Sequence, residues 1–412
     1  MPFAIARPKF FYGYVIVAAA LFMSVVMWGA RASFGVFFEP VLKEFGWTRG
    51  AISGGFSLTW VFTGLLSIAA GKMNDKWGPR LIMTVAGVLV GLGYLLMSRL
   101  SSIWQLYLFY GVISIGMSAV LVPTLSTVAR WFFKMRAFMT GIVLAGTGIS
   151  LMAILPVANR AILDHGWRTA YIIVGSVVIV VVVIAAQFLR RDPNQVGKLP
   201  YGYDGTRTEA SDVETHGLSF QEALRTNQVW LISLVYFCTY FIFYVLVVHL
   251  VIYATGQGIS SAQAVRIMAF LGGAGIAGRT LMGIFADRIG NKQAMMLSAG
   301  LMMLALFWLL VAKDIWMLFL FGAAFGFGHG GIATMESPMV ANVFGMRSHG
   351  VILGLVFLCD TVGGAAGPFL SGYIFDLTNS YRLAFLLCAI LSVTSLVAIL
   401  FLKPLKNLQK SA

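Results

Sequence analysis

The chain alternates between long apolar runs and short polar breaks. A helix rises about 1.5 Å per residue and the hydrocarbon core is about 30 Å thick, so one crossing takes roughly 20 apolar residues. Runs of that kind lie at 12–38, 51–71, 80–99, 103–128, 138–161, 168–189, 229–255, 263–285, 292–312, 315–341, 350–375 and 382–402. Backbone polar groups in lipid must be satisfied within their own segment, so each run predicts a transmembrane helix. The first is too long for a signal peptide and lacks a small-residue cleavage site. The expected fold is all-α, with twelve transmembrane helices.

The longest polar stretch, 190–228, separates runs six and seven and reads as a linker between two six-helix bundles, 1–189 and 229–412. Its end, "LSFQEALRTNQVW", predicts a short amphipathic helix on the membrane face.

Composition narrows the function classes. The chain is 59% hydrophobic and only 11% charged, against roughly 25% charged residues in soluble domains. Of its 29 Lys and Arg, 19 fall on the side that carries both termini. By the positive-inside rule that side is the cytoplasm, and a multi-pass protein of the cell inner membrane is expected. This bias accounts for the net charge of +14 without nucleic acid, whose readers display basic patches on a soluble surface. Cys238, Cys359 and Cys388 all fall inside apolar runs and form neither a disulfide framework nor a metal cluster. No nucleophile–base pair, nucleotide motif or cofactor site argues for an enzyme.

The two halves repeat. "GKMNDKWGPR" (71–80) and "GIFADRIGNK" (283–292) share glycines, an aspartate and a final base at an offset of 283 − 71 = 212, and "WRTAY" (167–171) echoes "YRLAF" (381–385) at 214. Such repeats mark secondary transporters, which rock two bundles about a midplane site. Asp75, Arg80, Asp287 and Arg288 are therefore gate candidates, able to make a contact in one rocking state and lose it in the other. The plainer alternative is that they solvate a tight turn.

Both decapeptides resemble the signature loop of the major facilitator superfamily. Within it, "SFGVFF" (33–38), "WFFKMRAFMTGIVLAG" (131–146) and "GWR" (166–168) are similar to the monocarboxylate transporters and the oxalate/formate antiporters. The resemblance implies a carrier of small carboxylates working by alternating access. It also implies that an arginine on the eighth helix, here Arg279, binds the substrate carboxylate. The animal transporters' aspartate four residues earlier is Gly275 here, and the antiporters' eleventh-helix lysine is absent. The first-helix base that the animal proteins place directly before the serine is Ala32, with Arg31 one residue off, so no role is assigned to Arg31.

Subtracting the repeat offset separates scaffold from substrate chemistry. Asp287 maps onto Asp75 and Lys292 onto Arg80. Arg279, Asp360, His329 and His249 map onto Ser67, Gly148, Met117 and Phe37, so these polar groups occur in one half only. A mid-membrane charge costs at least about 2.5 kcal/mol and usually faces a cavity or a partner. Arg279 can grip a carboxylate bidentately; the alternative is a structural ion pair with Asp360 or Glu336. His249 and Cys359 join it as substrate-side candidates, although His249 lies nearer the outer end of its helix. Asp360 and His329 can gain and lose a proton and are the coupling candidates. Glu336, before Pro338, is expected to pair with a loop base, and the glycine-dense "GAAFGFGHGG" (322–331) to pack closely against a neighbour. The expected function is proton-coupled symport of lactate- or pyruvate-like monocarboxylates by a monomer without cofactor or metal. The rivals are a carboxylate exchanger and a non-transporting sensor.

Overall fold

The computed structural model describes residues 11–132, 135–202, 217–345 and 348–403, apart from a few side chains within helices that include Asp75, Arg136 and Asp287. Among the described residues the protein is helical, with no named strand.

In the first half, α1 (Gly13–Ala32) and α2 (Phe34–Phe45) form one bent passage. They are followed by α3 (Arg49–Trp77), α4 (Pro79–Met97), α5 (Ile103–Met117), α6 (Leu121–Trp131) and the long α7 (Arg136–Gln187). The second half holds the short α8 (Phe220–Leu224), α9 (Asn227–Gly256), α10 (Ser261–Ile289), α11 (Asn291–Leu309), α12 (Ile315–Thr334), α13 (Glu336–Phe344), α14 (His349–Thr378) and α15 (Arg382–Phe401). Nine segments among the described residues are long and apolar enough to cross a membrane, one of them the 50-residue Phe138–Gln187. That segment holds two passages, split at Gly166, whose φ of 79° and ψ of 159° are open essentially only to glycine. The more polar α3 and the α5–α6 pair complete the order. The linker's amphipathic end is shorter than its pattern suggests: α8 has five residues, opened by a capping box between Ser219 and Glu222.

The repeat is visible in the backbone. Gly78 and Gly290, at equivalent places in the two decapeptides, both take a positive φ (80° and 91°) and turn one helix into the next. The base that ends each motif ties down the last helix of its own half. Arg80 Nε donates to Gln187 Oε1 at 2.8 Å, and Lys292 Nζ donates to the carbonyls of Leu400 and Leu402 at 2.8 and 2.7 Å. A further echo concerns two broken helices. The α5–α6 passage breaks ahead of Pro123 and the α12–α13 passage ahead of Pro338, an offset of 338 − 123 = 215. Proline cannot donate to the carbonyl four residues back, so both passages bend there.

Within the first half α7 packs on α1 and α4; within the second, α10 packs on α12 and α9 on α14. The seam between halves is α3 against α14 and α7 against α10, with α2 touching α9. Hydrophobicity does not drive helices together in lipid, so close backbone approach has to supply the packing. The glycine-dense run does this: a Cβ on Gly326 would strike the Leu271 carbonyl, and one on Gly330 the Gly275 carbonyl. The expected close packing of that helix is present, and Gly275 takes part in it.

Candidate functional site

Arg279 lies about 27 Å along α10 from its start at Ser261, reckoned at 1.5 Å per residue, and faces the seam. Its Nη1 donates to the Leu144 carbonyl and to Thr147 Oγ1 of α7, both at 2.7 Å. The guanidinium therefore bridges the halves. Among the described residues no carboxylate lies within ion-pair distance of it, so the structural pair with Asp360 or Glu336 is not made. Arg279 is half-buried, and its Nε and Nη2 have no protein partner there. A guanidinium with one end anchored and the other free is set to receive two oxygens of a planar anion.

Asp360 is buried on α14, and no group other than a neighbouring acid is in hydrogen-bond contact with its oxygens. Beside it is Glu336, at the break between α12 and α13. This corrects the expectation that Glu336 pairs with a loop base: the bend ahead of Pro338 turns it inward, and its Oε1 is buried with no partner other than Asp360. Tyr236 and Tyr240 of α9 adjoin the two acids, and Tyr240 is within electrostatic reach of Arg279 as well. Cys359 is half-buried next to Ser233.

The two histidines sit in different surroundings. His329 is buried and stacks on Phe243 with centroids 4.0 Å apart, and its Nε2 has no partner. His249 is fully buried about 10 Å from the end of α9. Its Nδ1 is 3.0 Å from Tyr381 Oη and its Nε2 is 2.9 Å from the Pro368 carbonyl. Arg49 Nη1 donates to the same Tyr381 hydroxyl at 3.0 Å. His249 thus belongs to a contact between halves at the end remote from the termini, and the structure does not bring it together with Arg279. Other ties at that end join Thr255 to Glu39 and Ser261 to Asn159. At the end that carries the termini, no side-chain hydrogen bond joins the halves among the described residues. Of the gate candidates, the side chains of Asp75 and Asp287 lie outside the described residues, Arg80 bonds within its own half, and Arg288 is exposed.

Arg31 is the residue that the sequence reasoning left without a role. It is 4% exposed, and its guanidinium carbon lies 3.5 Å from the centroid of Trp60. Nη2 donates to Thr59 Oγ1 at 3.1 Å, while Nε and Nη1 are buried without partners. Trp60 in turn meets Tyr244 of α9, centroids 4.3 Å apart, so this second cation also borders the seam. The repeat offset run forward would have flagged it, because 31 + 212 falls on Phe243.

The model of the Major Facilitator Superfamily matches residues 20–283 and 274–412. The chain is 28% identical to "Monocarboxylate transporter 13" of Rattus norvegicus over 379 residues, which cover 91% of this chain and 85% of that one. It is 24% identical to "Monocarboxylate transporter 2" of Homo sapiens over 411 residues, 94% and 85% of the two chains. Among solved structures, a bacterial homolog of the human lysosomal transporter Spinster, inward-facing and unoccupied, superposes with a TM-score of 0.70 at 16% identity. That match covers 96% of this chain and 95% of the other.

Proposed function

Since the chain belongs to the Major Facilitator Superfamily, it is a multi-pass membrane transporter rather than an enzyme, and we propose that its cargo is a small monocarboxylate of the lactate or pyruvate kind, moved with a proton. The observation that carries this reading is Arg279: a cation at the seam, without a carboxylate partner, anchored through one nitrogen to the opposite half. Its free edge would take the substrate carboxylate, and Cys359 would line the same side. Because the anchor joins α10 to α7, loading the guanidinium couples substrate arrival to the contact between halves, which alternating access requires. The names of the relatives support the substrate class.

Coupling to a proton has a physical motive. An anion entering against a negative-inside potential is opposed by about 2.3 kcal/mol per 100 mV, and one proton cancels that charge. Asp360 is the carrier in this reading, with His329 the lesser candidate because its ring is stacked. The termini face the cytoplasm, as the Lys and Arg bias directs, and Asp75 and Asp287 act at that end as gate residues. The test is uptake into proteoliposomes from a panel of labelled monocarboxylates, with and without an inward proton gradient. Gradient-stimulated uptake is expected. Uptake that ignores the gradient but requires an internal carboxylate would replace symport with exchange, and no uptake of any carboxylate would remove the reading.

A further inference from the structure

Asp360 and Glu336 are in side-chain hydrogen-bond contact in the second half, and no other group donates to the three of their oxygens that are buried, both of Asp360 and Oε1 of Glu336. Neither acid has a cation within ion-pair distance among the described residues. We propose that the two acids form one proton-binding unit, and that this pair, rather than Asp360 alone, carries the coupled proton. The inference rests on the carboxylate-symport reading above and adds Glu336 to its machinery.

Two adjacent carboxyls, Asp360 buried and Glu336 half-buried, have no counter-ion within ion-pair distance among the described residues. They repel each other too strongly for both to carry charge, so the pair holds at least one proton. With one proton between them the pair has a charge of −1. The groups facing the acids are Tyr236, Tyr240 and Tyr244 from α9 and Cys359 from α14 itself, while Arg279 of α10 meets Tyr240 and Tyr244 from the other side and His329 of α12 lies near Arg279. Of these only Arg279 bears a permanent charge, and Tyr240 feels both it and the acids. The empty site is then neutral, with Arg279 offset by the singly protonated pair. Arrival of a carboxylate at Arg279 cancels that cation and leaves a net −1, which the pair relieves by binding a second proton. The loaded site is neutral too. One proton moves per monocarboxylate, and the site is neutral in both forms that must reorient across the membrane; Arg31, which also reaches Tyr244, adds the same fixed charge to each.

The pair differs from a lone aspartate in a way that can be measured. With Glu336→Gln or Asp360→Asn the remaining acid still switches between −1 and 0, so gradient-driven uptake of labelled lactate survives in each. The neighbour that shared a proton is gone, so the midpoint of the pH dependence moves to higher pH by about one unit. The double variant has nothing left to titrate. Its empty form carries the uncompensated charge of Arg279 and reorients poorly, whereas its loaded site is neutral. The reconstituted double variant should lose gradient-driven accumulation and still exchange labelled for unlabelled lactate, a result that also shows it is folded. Loss of all gradient-driven uptake in Asp360→Asn alone, with an unaltered pH profile in Glu336→Gln, would overturn the pair. Wild-type exchange indifferent to pH would overturn the pair while sparing carboxylate binding. A wild-type protein driven by a sodium gradient instead would likewise reject a proton unit.

Discussion

Asp376 caps a helix that belongs to the other half of the molecule: its carboxylate accepts the backbone N–H groups of Arg49 at 2.8 Å and Gly50 at 2.6 Å. These are the first two residues of α3, where a helix has unsatisfied donors and the positive end of its dipole. The guanidinium of Arg49 returns across the seam to Tyr381 and packs on Phe375, 4.0 Å from the ring centroid. The halves are therefore tied together at the end remote from the termini by a carboxylate on a helix N-terminus.

Asp376→Asn keeps the shape but removes the charge, and a charge-assisted bond loses about 1.4 kcal/mol or more when made neutral. The balance between the two rocking states should move about tenfold toward opening at this end. Asp75→Asn, at the opposite end, should move it the other way. Cysteine-accessibility labelling from each side reads both, and an unchanged pattern in Asp376→Asn would count against the cap as a latch.

Arg279→Gln should abolish carboxylate exchange, and Arg279→Lys should restore little of it, because an ammonium cannot present two parallel donors. The anchors on α7 allow a separate check. Thr147→Val removes one of the two bonds to Nη1 and should weaken substrate affinity several-fold without abolishing it, since about 1 kcal/mol is at stake. Near-normal lactate binding by Arg279→Gln, measured by calorimetry in detergent, would sink the assignment.

Arg31 carries two buried nitrogens with no partner, so its replacement should not cost stability. Arg31→Met keeps a long side chain against Trp60 and is expected to leave the melting temperature unchanged or raise it. If transport falls in the same variant, the arginine is kept for function at the expense of stability. A strongly lowered melting temperature would mean that the stacking on Trp60 outweighs the unmet donors.

Gly330→Ala should be among the more damaging small substitutions, because its Cβ would strike the Gly275 carbonyl and crowd the Arg279 amide. A loss of about 1–3 kcal/mol is expected from such overpacking. Gly354→Ala, where nothing lies within 4 Å of the added carbon, is the control. Thermal melting of the purified pair decides it: equal melting temperatures would remove the packing argument for the glycine run.

Hydropathy marks most of the passages of this chain, because lipid demands that every crossing segment satisfy its own backbone. The more polar α3 and the broken α5–α6 pair are placed by packing. Repetition of the decapeptide identifies the symmetric scaffold, since a rocking pair of bundles needs the same turn twice, and Gly78 and Gly290 supply it. The same bookkeeping of positions picked out Arg279 and Asp360 as groups present in one half only. What a residue faces is another matter, because it depends on the rotation of one helix about its axis and on its neighbours from the other half. Only the packed structure turns Glu336 inward to Asp360 rather than out to a loop base, through the bend ahead of Pro338. Only packing sets His249 between Tyr381 and Pro368, and lays Arg31 across Trp60, 29 residues further along the chain. One-dimensional spacing carries no information about contacts between helices that pack across a seam, and the candidate site is made of such contacts.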